Sequence, residues 1–234
     1  MKVLVACEFS GVVRDAFARR GHDAWSCDLL PTERPGNHLQ CDVLTVLDDG
    51  WDLMIAHPPC TYLCSSGLHW NKRRPERESR TAEAMSFVLR LVGREHSIPK
   101  VALENPIGRI STAYRPPDQI IQPYQFGDDA SKQTCLWLIG LPPLVATRYV
   151  EPRLVCCGRV VPEAAGKYGC PVCEGERAAR PRWANQLNSG QNRLGPSAGR
   201  AAERARTYPG IAAAMAEQWG GYTGHAAGCR GRDR

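Results

Sequence analysis

The fold of this chain is constrained most by a series of short apolar runs, each followed at once by a turn signal or a polar residue. Between the runs lie stretches with apolar residues at helical spacing, notably Val12 to Arg20 and Arg80 to Arg94. Alternating strands and helices are typical of a doubly wound parallel sheet, so the sequence predicts an α/β fold. The predicted parallel strands are Val3–Cys7, Asp23–Cys27, Cys41–Leu44, Asp52–Ala56 and Val101–Leu103.

The chain changes character after residue 118. Two further runs, Ile120–Gly127 and Thr134–Ile139, surround a polar turn and predict an antiparallel edge on the sheet. Tyr208-Pro209-Gly210 then predicts the start of a helix, because proline is favoured in the first helical turn. We therefore divide the chain into a sheet domain at 1–145, a small basic Cys-rich lobe at 146–206, a helix at 207–220 that returns to the sheet domain, and a disordered tail at 221–234.

Positive charge is concentrated in the last third of the 234 residues. Residues 148–234 contain 14 Lys or Arg against 7 Asp or Glu, and the whole chain has a net charge of +6. A basic lobe on a near-neutral domain is what binding to a polyanion requires, although a well-solvated Arg-rich tail fits the same numbers. The sequence shows neither a run of about 20 apolar residues that would span a bilayer nor a signal peptide. We expect a cytoplasmic protein without a membrane partner.

One predicted strand ends in a candidate nucleophile. Asp52–Ala56 leads through His57 into Pro58-Pro59-Cys60, and the two prolines would hold the Cys60 thiol in one direction. The next strand ends in Glu104-Asn105-Pro106, which places a carboxyl group at the same edge of the sheet, where ligands collect. Either motif alone fits a structural turn. Their order on successive strand ends favours a site with Cys60 as nucleophile and Glu104 as its catalytic partner.

The earlier strands end in residues suited to a ligand that carries a ribose. A glycine turn at Phe9-Ser10-Gly11 lets the backbone approach a ligand closely. Asp28 ends the second strand, where an acidic side chain can hold ribose hydroxyls, and Asp42 lies at the end of the next. The alternatives are that Phe9 is a core aromatic residue and that Asp42 caps a helix.

In this order, the motifs resemble those of the DNA (cytosine-5-)methyltransferase family over roughly residues 1–140. The resemblance implies a Rossmann-like, S-adenosylmethionine-dependent enzyme. It implies that Cys60 adds to a cytosine flipped out of duplex DNA, that Glu104 binds the base edge, and that carbon 5 receives the methyl group. The cofactor-binding residues that it implies are Phe9, Gly11, Asp28, Asp42 and Pro58.

The chain departs from the family's pattern at three points. Val13 stands where the family has a second glycine, Asp28 replaces the usual Glu, and the Gln-x-Arg-x-Arg motif is missing, with Lys132 the candidate in its region. The short recognition portion is typical of a compact phage- or prophage-type member, which we expect to be a monomer. Two alternatives stay open: similar chemistry on a free pyrimidine nucleotide or modified base, and a DNA-binding protein that has lost catalysis.

The lobe carries a cysteine pattern that resembles half of a zinc ribbon. A Cys-x-x-Cys knuckle follows a pair of adjacent cysteines, and together they predict a structural Zn²⁺ site, with a redox pair or unpaired thiols as alternatives. The four predicted ligands are Cys156, Cys157, Cys170 and Cys173.

Two segments supply candidate DNA-binding groups. The Arg-, Asn- and Gln-rich stretch 177–193 is suited to reading base edges and phosphates, or else to covering the site as a solvated loop. Thr61–Ser79, with the cluster Lys72-Arg73-Arg74, predicts a mobile phosphate-binding loop beside Cys60, because base flipping needs a loop that can move.

Overall fold

The computed structural model describes residues 1–93, 96–157, 159–161, 179–195, 197 and 199–222. Its main feature is a seven-stranded sheet, and a second sheet of three strands lies in the lobe. The strands of the large sheet are β1 (Lys2–Ala6), β2 (Asp23–Asp28), β3 (His38–Gln40), β4 (Leu53–Ala56), β5 (Val101–Asn105), β6 (Gln119–Ile121) and β7 (Thr134–Ile139). Those of the small sheet are β8 (Arg153–Cys156), β9 (Arg159–Val160) and β10 (Arg180–Arg182).

The large sheet has the order β3-β2-β1-β4-β5-β7-β6. Strands β1 to β5 are parallel, and β7 runs antiparallel to both β5 and β6. The predicted α/β class, with a mostly parallel sheet and an antiparallel edge, is confirmed and is compatible with a Rossmann-like fold. From β1 the chain moves to β2 on one side and later to β4 on the other, so a crevice forms beyond the carboxyl ends of β1 and β4.

Helices cover both faces of this sheet. They are α1 (Val12–Ala18), α2 (Ser65–Leu68), α3 (Pro75–Val92), α4 (Arg109–Ala113), α5 (Arg200–Ala205) and α6 (Pro209–Gly220). Alternate residues of each central strand point to opposite faces. In β1, Val3 and Val5 pack with α1 and α6, whereas Leu4 and Ala6 pack with α3. Among the helices of the described residues, none is long and apolar enough to cross a membrane.

Three local predictions were wrong. The third strand lies at His38–Gln40 rather than Cys41–Leu44, since Asp42 caps a short 3₁₀ helix at Val43–Thr45 instead. The predicted loop Thr61–Ser79 contains α2, a 3₁₀ turn and the first turn of α3, which begins at Pro75 because proline suits the start of a helix. The lobe, in which the sequence predicts no strand, contains the small sheet β10-β8-β9.

A buried arginine fixes the turn between β1 and α1. Arg14 is only 1% exposed, and its guanidinium donates to Ser26 Oγ, to Thr32 Oγ1 and to the carbonyl oxygens of Arg34 and Pro35, at 3.0–3.2 Å. Gly11 has φ +69°, and a Cβ there would lie 2.5 Å from an Arg14 nitrogen. Glycine is therefore required at this turn because the Arg14 guanidinium packs against it. Arg14 also joins the turn to the loop after β2 through its hydrogen bonds.

We expect Arg14→Met to lower the free energy of unfolding by about 3 kcal/mol, because buried oxygen acceptors would lose a charged donor. Chemical denaturation followed by circular dichroism measures this. Arg19→Met is the control: Arg19 is exposed at the end of the same helix, so its loss should change the free energy by less than about 0.5 kcal/mol. Equal effects of the two substitutions would contradict the assignment.

Candidate active site

The loop that carries Cys60 is joined to the strand that carries Glu104. The side-chain amide of Asn105 donates to the carbonyl oxygen of Pro58 at 2.8 Å, in a buried position. Further along, the Arg109 amide donates to the Leu63 carbonyl at 2.7 Å, and a Cβ at Gly108 would lie 1.9 Å from that same oxygen. The two segments after β4 and β5 therefore form one packed unit at the carboxyl edge of the sheet.

A cavity of about 350 Å³ lies on one side of this unit, beyond the ends of β1 and β2. We call it the acidic cavity, because Asp28 and Asp42 line it together with apolar walls that include Leu29 and Phe87. Each carboxylate also accepts a hydrogen bond in its own turn, Asp28 from the Leu30 amide at 2.9 Å and Asp42 from the Leu44 amide at 3.0 Å. The other lining residues are Cys7, Cys27, Cys41, Val43, Pro59, Tyr62 and Ala84.

The structure places the other predicted cofactor residues outside the lining of this cavity. Phe9 is half-buried and belongs to neither core cluster, and its carbonyl oxygen accepts from the Glu33 amide at 2.9 Å. Gly11 forms the turn before α1. Pro58 is buried, and its neighbour Pro59 lines the cavity instead. The cavity thus contains two of the five predicted residues, the carboxylates.

Cys60 shares a hydrogen bond with a second thiol, that of Cys64, one turn further along the chain. This bond, burial and the nearby Glu104 carboxylate raise the pKa of Cys60. The same bond lowers the pKa of Cys64 to about 5, with help from the Ser66 hydroxyl 3.2 Å from its sulfur and from the Gly67 amide. Since one thiol stabilises the thiolate of the other, the pair holds one proton between two sulfurs at neutral pH.

Glu104 is buried between groups from both neighbouring strands. Its Oε2 lies 3.0 Å from Nδ1 of His57, just after β4, and the Thr134 hydroxyl on β7 also bonds it. Burial alone would raise the pKa of Glu104, but the His57 hydrogen bond and the charge of Lys132 outweigh it and lower the pKa. The carboxylate is therefore ionised at neutral pH.

A second cavity, of about 600 Å³, lies between the sheet domain and the lobe. We call it the basic cavity, because its lining contains five cationic side chains against the single carboxylate of Glu203. Lys132 is one of them, and its charge also acts on Cys60 and Glu104, so this cavity adjoins these two side chains. The cationic residues are Arg34, Lys132, Arg193, Arg204 and Arg206.

The segment after Cys60 presents an exposed aromatic ring among cations. Trp70 is 41% exposed, and the guanidinium groups of Arg73 and Arg74 lie 5.6 Å from its ring centre. Arg77 is committed to the fold, because it donates to the carbonyl oxygens of Thr61 and Gly67. The Trp70, Arg73 and Arg74 side chains are exposed, and we call the surface that they form the Trp70 patch.

Half of the predicted zinc site lies within the described residues. Cys156 ends β8, and its sulfur is 3.5 Å from that of Cys157, which has φ +51°. Two thiolates on one tetrahedral zinc ion lie about 3.8 Å apart, so this pair fits half of such a site. Cys170 and Cys173 lie outside the described residues, within which no group of three or more metal-binding side chains occurs. Zinc binding stays a prediction.

The comparisons with known proteins add no family to this geometry. No protein-family model matches the chain, and no curated protein matches it.

Sequence reasoning missed Cys64 and His57. Cys64 follows Cys60 by four residues, a spacing that brings two side chains together only if the segment turns, whereas the sequence predicts a mobile loop here. His57 stands between an apolar run and two prolines, and nothing in that local pattern marks it. Its role depends on Glu104, which is 47 residues away in sequence.

We expect Cys64→Ser to change how fast Cys60 is alkylated as the pH rises. In the native pair one thiolate exists at every pH above about 5, so iodoacetamide should modify the Cys60–Cys64 peptide at similar rates at pH 6 and pH 8. Without Cys64, Cys60 ionises alone, and its rate should rise about tenfold per pH unit in this range. Mass spectrometry of the peptide gives both rates. Cys135→Ser, which removes a thiol outside the pair, should keep the native profile, and the same profile in Cys64→Ser would refute the shared proton.

Proposed function

We propose that this protein transfers a methyl group from S-adenosylmethionine to carbon 5 of cytosine in DNA. The observation that carries the proposal is that the segments of Cys60 and Glu104 are joined to each other, while their neighbours Pro59 and Pro106 line the acidic cavity and the basic cavity respectively. Such a reaction needs a cofactor and a polyanionic substrate on opposite sides of one nucleophile. The mostly parallel sheet with its reversed β7 agrees with the methyltransferase resemblance of the sequence.

The acidic cavity fits the adenosine part of the cofactor. Its volume of about 350 Å³ lies in the range of small-molecule sites. Asp28 and Asp42 would accept hydrogen bonds from ribose hydroxyls and from the adenine amino group, while Leu29 and Phe87 would pack on the base. Bound there, S-adenosylmethionine would supply an electrophilic methyl group.

Cys60 would act as the nucleophile. Carbon 5 of cytosine is a poor nucleophile until a thiolate adds to carbon 6. As Cys60 Sγ forms the bond to carbon 6, its proton passes to the thiolate of Cys64. Once carbon 5 carries the methyl group, loss of its proton to solvent water and release of Cys60, which takes its own proton back from Cys64, would complete the reaction.

Glu104 would hold the base edge. An ionised carboxylate accepts a hydrogen bond from the exocyclic N4 amino group, which orients the ring over the thiol. Its carboxylate is already fixed by His57 and Thr134, so little reorganisation accompanies binding.

The basic cavity and the Trp70 patch would hold the nucleic acid. The cavity's arginines suit phosphates on either side of a flipped nucleotide. Trp70 offers a stacking surface, and Arg73 and Arg74 add charge beside it. The zinc site predicted at Cys156, Cys157, Cys170 and Cys173 would stabilise the lobe that completes this cavity.

We expect the native protein to transfer labelled methyl groups from S-adenosylmethionine to cytosine in duplex DNA, and Cys60→Ala to abolish this while still binding the cofactor. Nucleoside analysis of the digested DNA identifies the modified base, and calorimetry gives cofactor affinity. Cys135→Ala, which removes a buried thiol from a core strand, should retain the activity.

Each other outcome argues against a stated part of the proposal. Labelling of free deoxycytidine monophosphate but not of DNA would overturn the DNA substrate. Cofactor binding without any transfer would overturn the reaction. Salt-sensitive DNA binding without cofactor binding would favour a protein that only binds DNA.

The double substitution Arg73→Glu with Arg74→Glu should weaken duplex DNA binding by at least about tenfold and reduce the salt dependence by roughly two phosphate contacts. Fluorescence anisotropy at several salt concentrations measures both. Arg19→Glu, at the opposite end of α1 from the site, should leave both values unchanged. A loss of affinity with an unchanged salt slope would contradict phosphate contact by the Trp70 patch.

A further inference from the structure

His57 is a buried histidine that the proposed reaction has not yet used. It follows β4 directly, its side chain is 6% exposed, and its Nδ1 lies 3.0 Å from Oε2 of Glu104, whose side chain is 12% exposed. The backbone amide of His57 donates to the Ala6 carbonyl of β1 at 2.9 Å, which fixes the base of the side chain. The ring is thus held against Glu104 by two neighbouring strands.

Within the described part of the chain, the other ring nitrogen has no competing partner. Nε2 is buried and forms no hydrogen bond with any described residue. Within the described residues, the ring's one polar side-chain contact is therefore Glu104. A buried imidazole that is anchored by a single carboxylate is suited to exchanging a proton with that carboxylate.

The groups around Glu104 leave His57 as the nearest source of a proton. Thr134 provides a neutral hydroxyl, and Lys132 provides a positive charge without a hydrogen bond to the carboxylate, since its Nζ donates to the Arg204 carbonyl at 3.0 Å. The thiols whose charged forms interact with Glu104 are Cys60 and Cys135. Cys135 is fully buried in β7, and Cys60 is occupied by its own reaction.

We infer that His57 is a positioning residue that supplies, through Glu104, the proton taken up by the pyrimidine ring during the proposed methyl transfer. The inference rests on the proposed function and adds to it the proton source. As the sulfur of Cys60 bonds to carbon 6, an electron pair of the ring moves to N3. N3 takes a proton from Glu104, and Glu104 takes one from Nδ1 of His57, so an imidazolium–carboxylate pair becomes a neutral imidazole beside a carboxylate. Release of Cys60 reverses each transfer.

The lowered pKa of Glu104 explains why such a source is needed. Burial alone would favour a protonated Glu104, but the His57 hydrogen bond and the Lys132 charge keep its carboxylate ionised, so it holds no proton of its own at neutral pH. A carboxylate can accept from N4 of cytosine but cannot donate to N3. The proton must therefore reach Glu104 from a neighbour.

The first test is the pH profile of methyl transfer in a single turnover by the native protein and by His57→Asn. The asparagine amide can still donate to Glu104 but cannot release a proton. We expect His57→Asn to react more slowly than the native protein at neutral pH, by a factor of about ten or more. We also expect the rate to recover toward acid pH, because Glu104 must then carry the proton alone. The decline of the rate at high pH should accordingly begin at a lower pH than in the native protein.

A merely structural role of His57 predicts something else: an equal loss of rate at all pH values, with the decline at high pH unmoved. That result would overturn the inference. Melting temperature and cofactor affinity of His57→Asn, measured beside the native protein, separate it from misfolding. If the native protein transfers no methyl group to any substrate, the proposed function fails.

A second test does not depend on activity. ¹⁵N NMR of protein labelled at its six histidines identifies the His57 ring as the signal missing from His57→Asn. We expect Glu104→Gln to change the ¹⁵N shift of the ring nitrogen that faces residue 104, because Nδ1 would lose its carboxylate partner. Identical ring signals in native protein and Glu104→Gln would show that the two side chains share no proton, and this would overturn the inference whatever the reaction.

Discussion

The candidate site depends on one buried hydrogen bond, from the Asn105 amide to the Pro58 carbonyl. Pro58 is buried, and a buried carbonyl oxygen without a donor would cost free energy. Asn105 satisfies it and thereby joins the end of β5 to the loop after β4. The thiol and the carboxylate of the site come from these two segments, so the bond sets their separation. The Glu-Asn-Pro and Pro-Pro-Cys motifs therefore pack together as one structural unit.

The electrostatics of the site follow from this packing. Burying a carboxylate at the edge of a sheet costs solvation free energy. Interactions of Glu104 with His57, Thr134 and Lys132 offset that cost. In the Cys60–Cys64 pair the negative charge lies on Cys64, because a charge on Cys60 would be repelled by Glu104. The ionisable groups are thus arranged in pairs, and the chemistry that we propose moves protons within these pairs.

The lobe contributes to the site through the loop that carries Lys132. The Asn185 side chain bonds both the amide and the carbonyl of Ser131, at 3.0 and 2.9 Å, and Trp183 stacks on Tyr124 with ring centres 4.4 Å apart. These contacts fix the loop between β6 and β7, whose lysine acts on Glu104. The segment 177–193, which the sequence predicts as a DNA-binding or covering loop, thus also helps to hold the charge of Lys132 near Glu104.

The sequence by itself determined the α/β class, the parallel arrangement with its antiparallel edge, and the placement of Cys60, Glu104 and Asp28 at strand ends, because periodicity and turn residues are local properties of a chain. It misplaced the third strand, since an aspartate that ends a strand and one that caps a helix look alike. Only the tertiary structure decided that His57 meets Glu104, that Cys64 meets Cys60 and that Asn105 holds Pro58. Apart from the two thiols, these partners lie 47 residues apart, and contacts over such distances are decided by which strands become neighbours in the sheet.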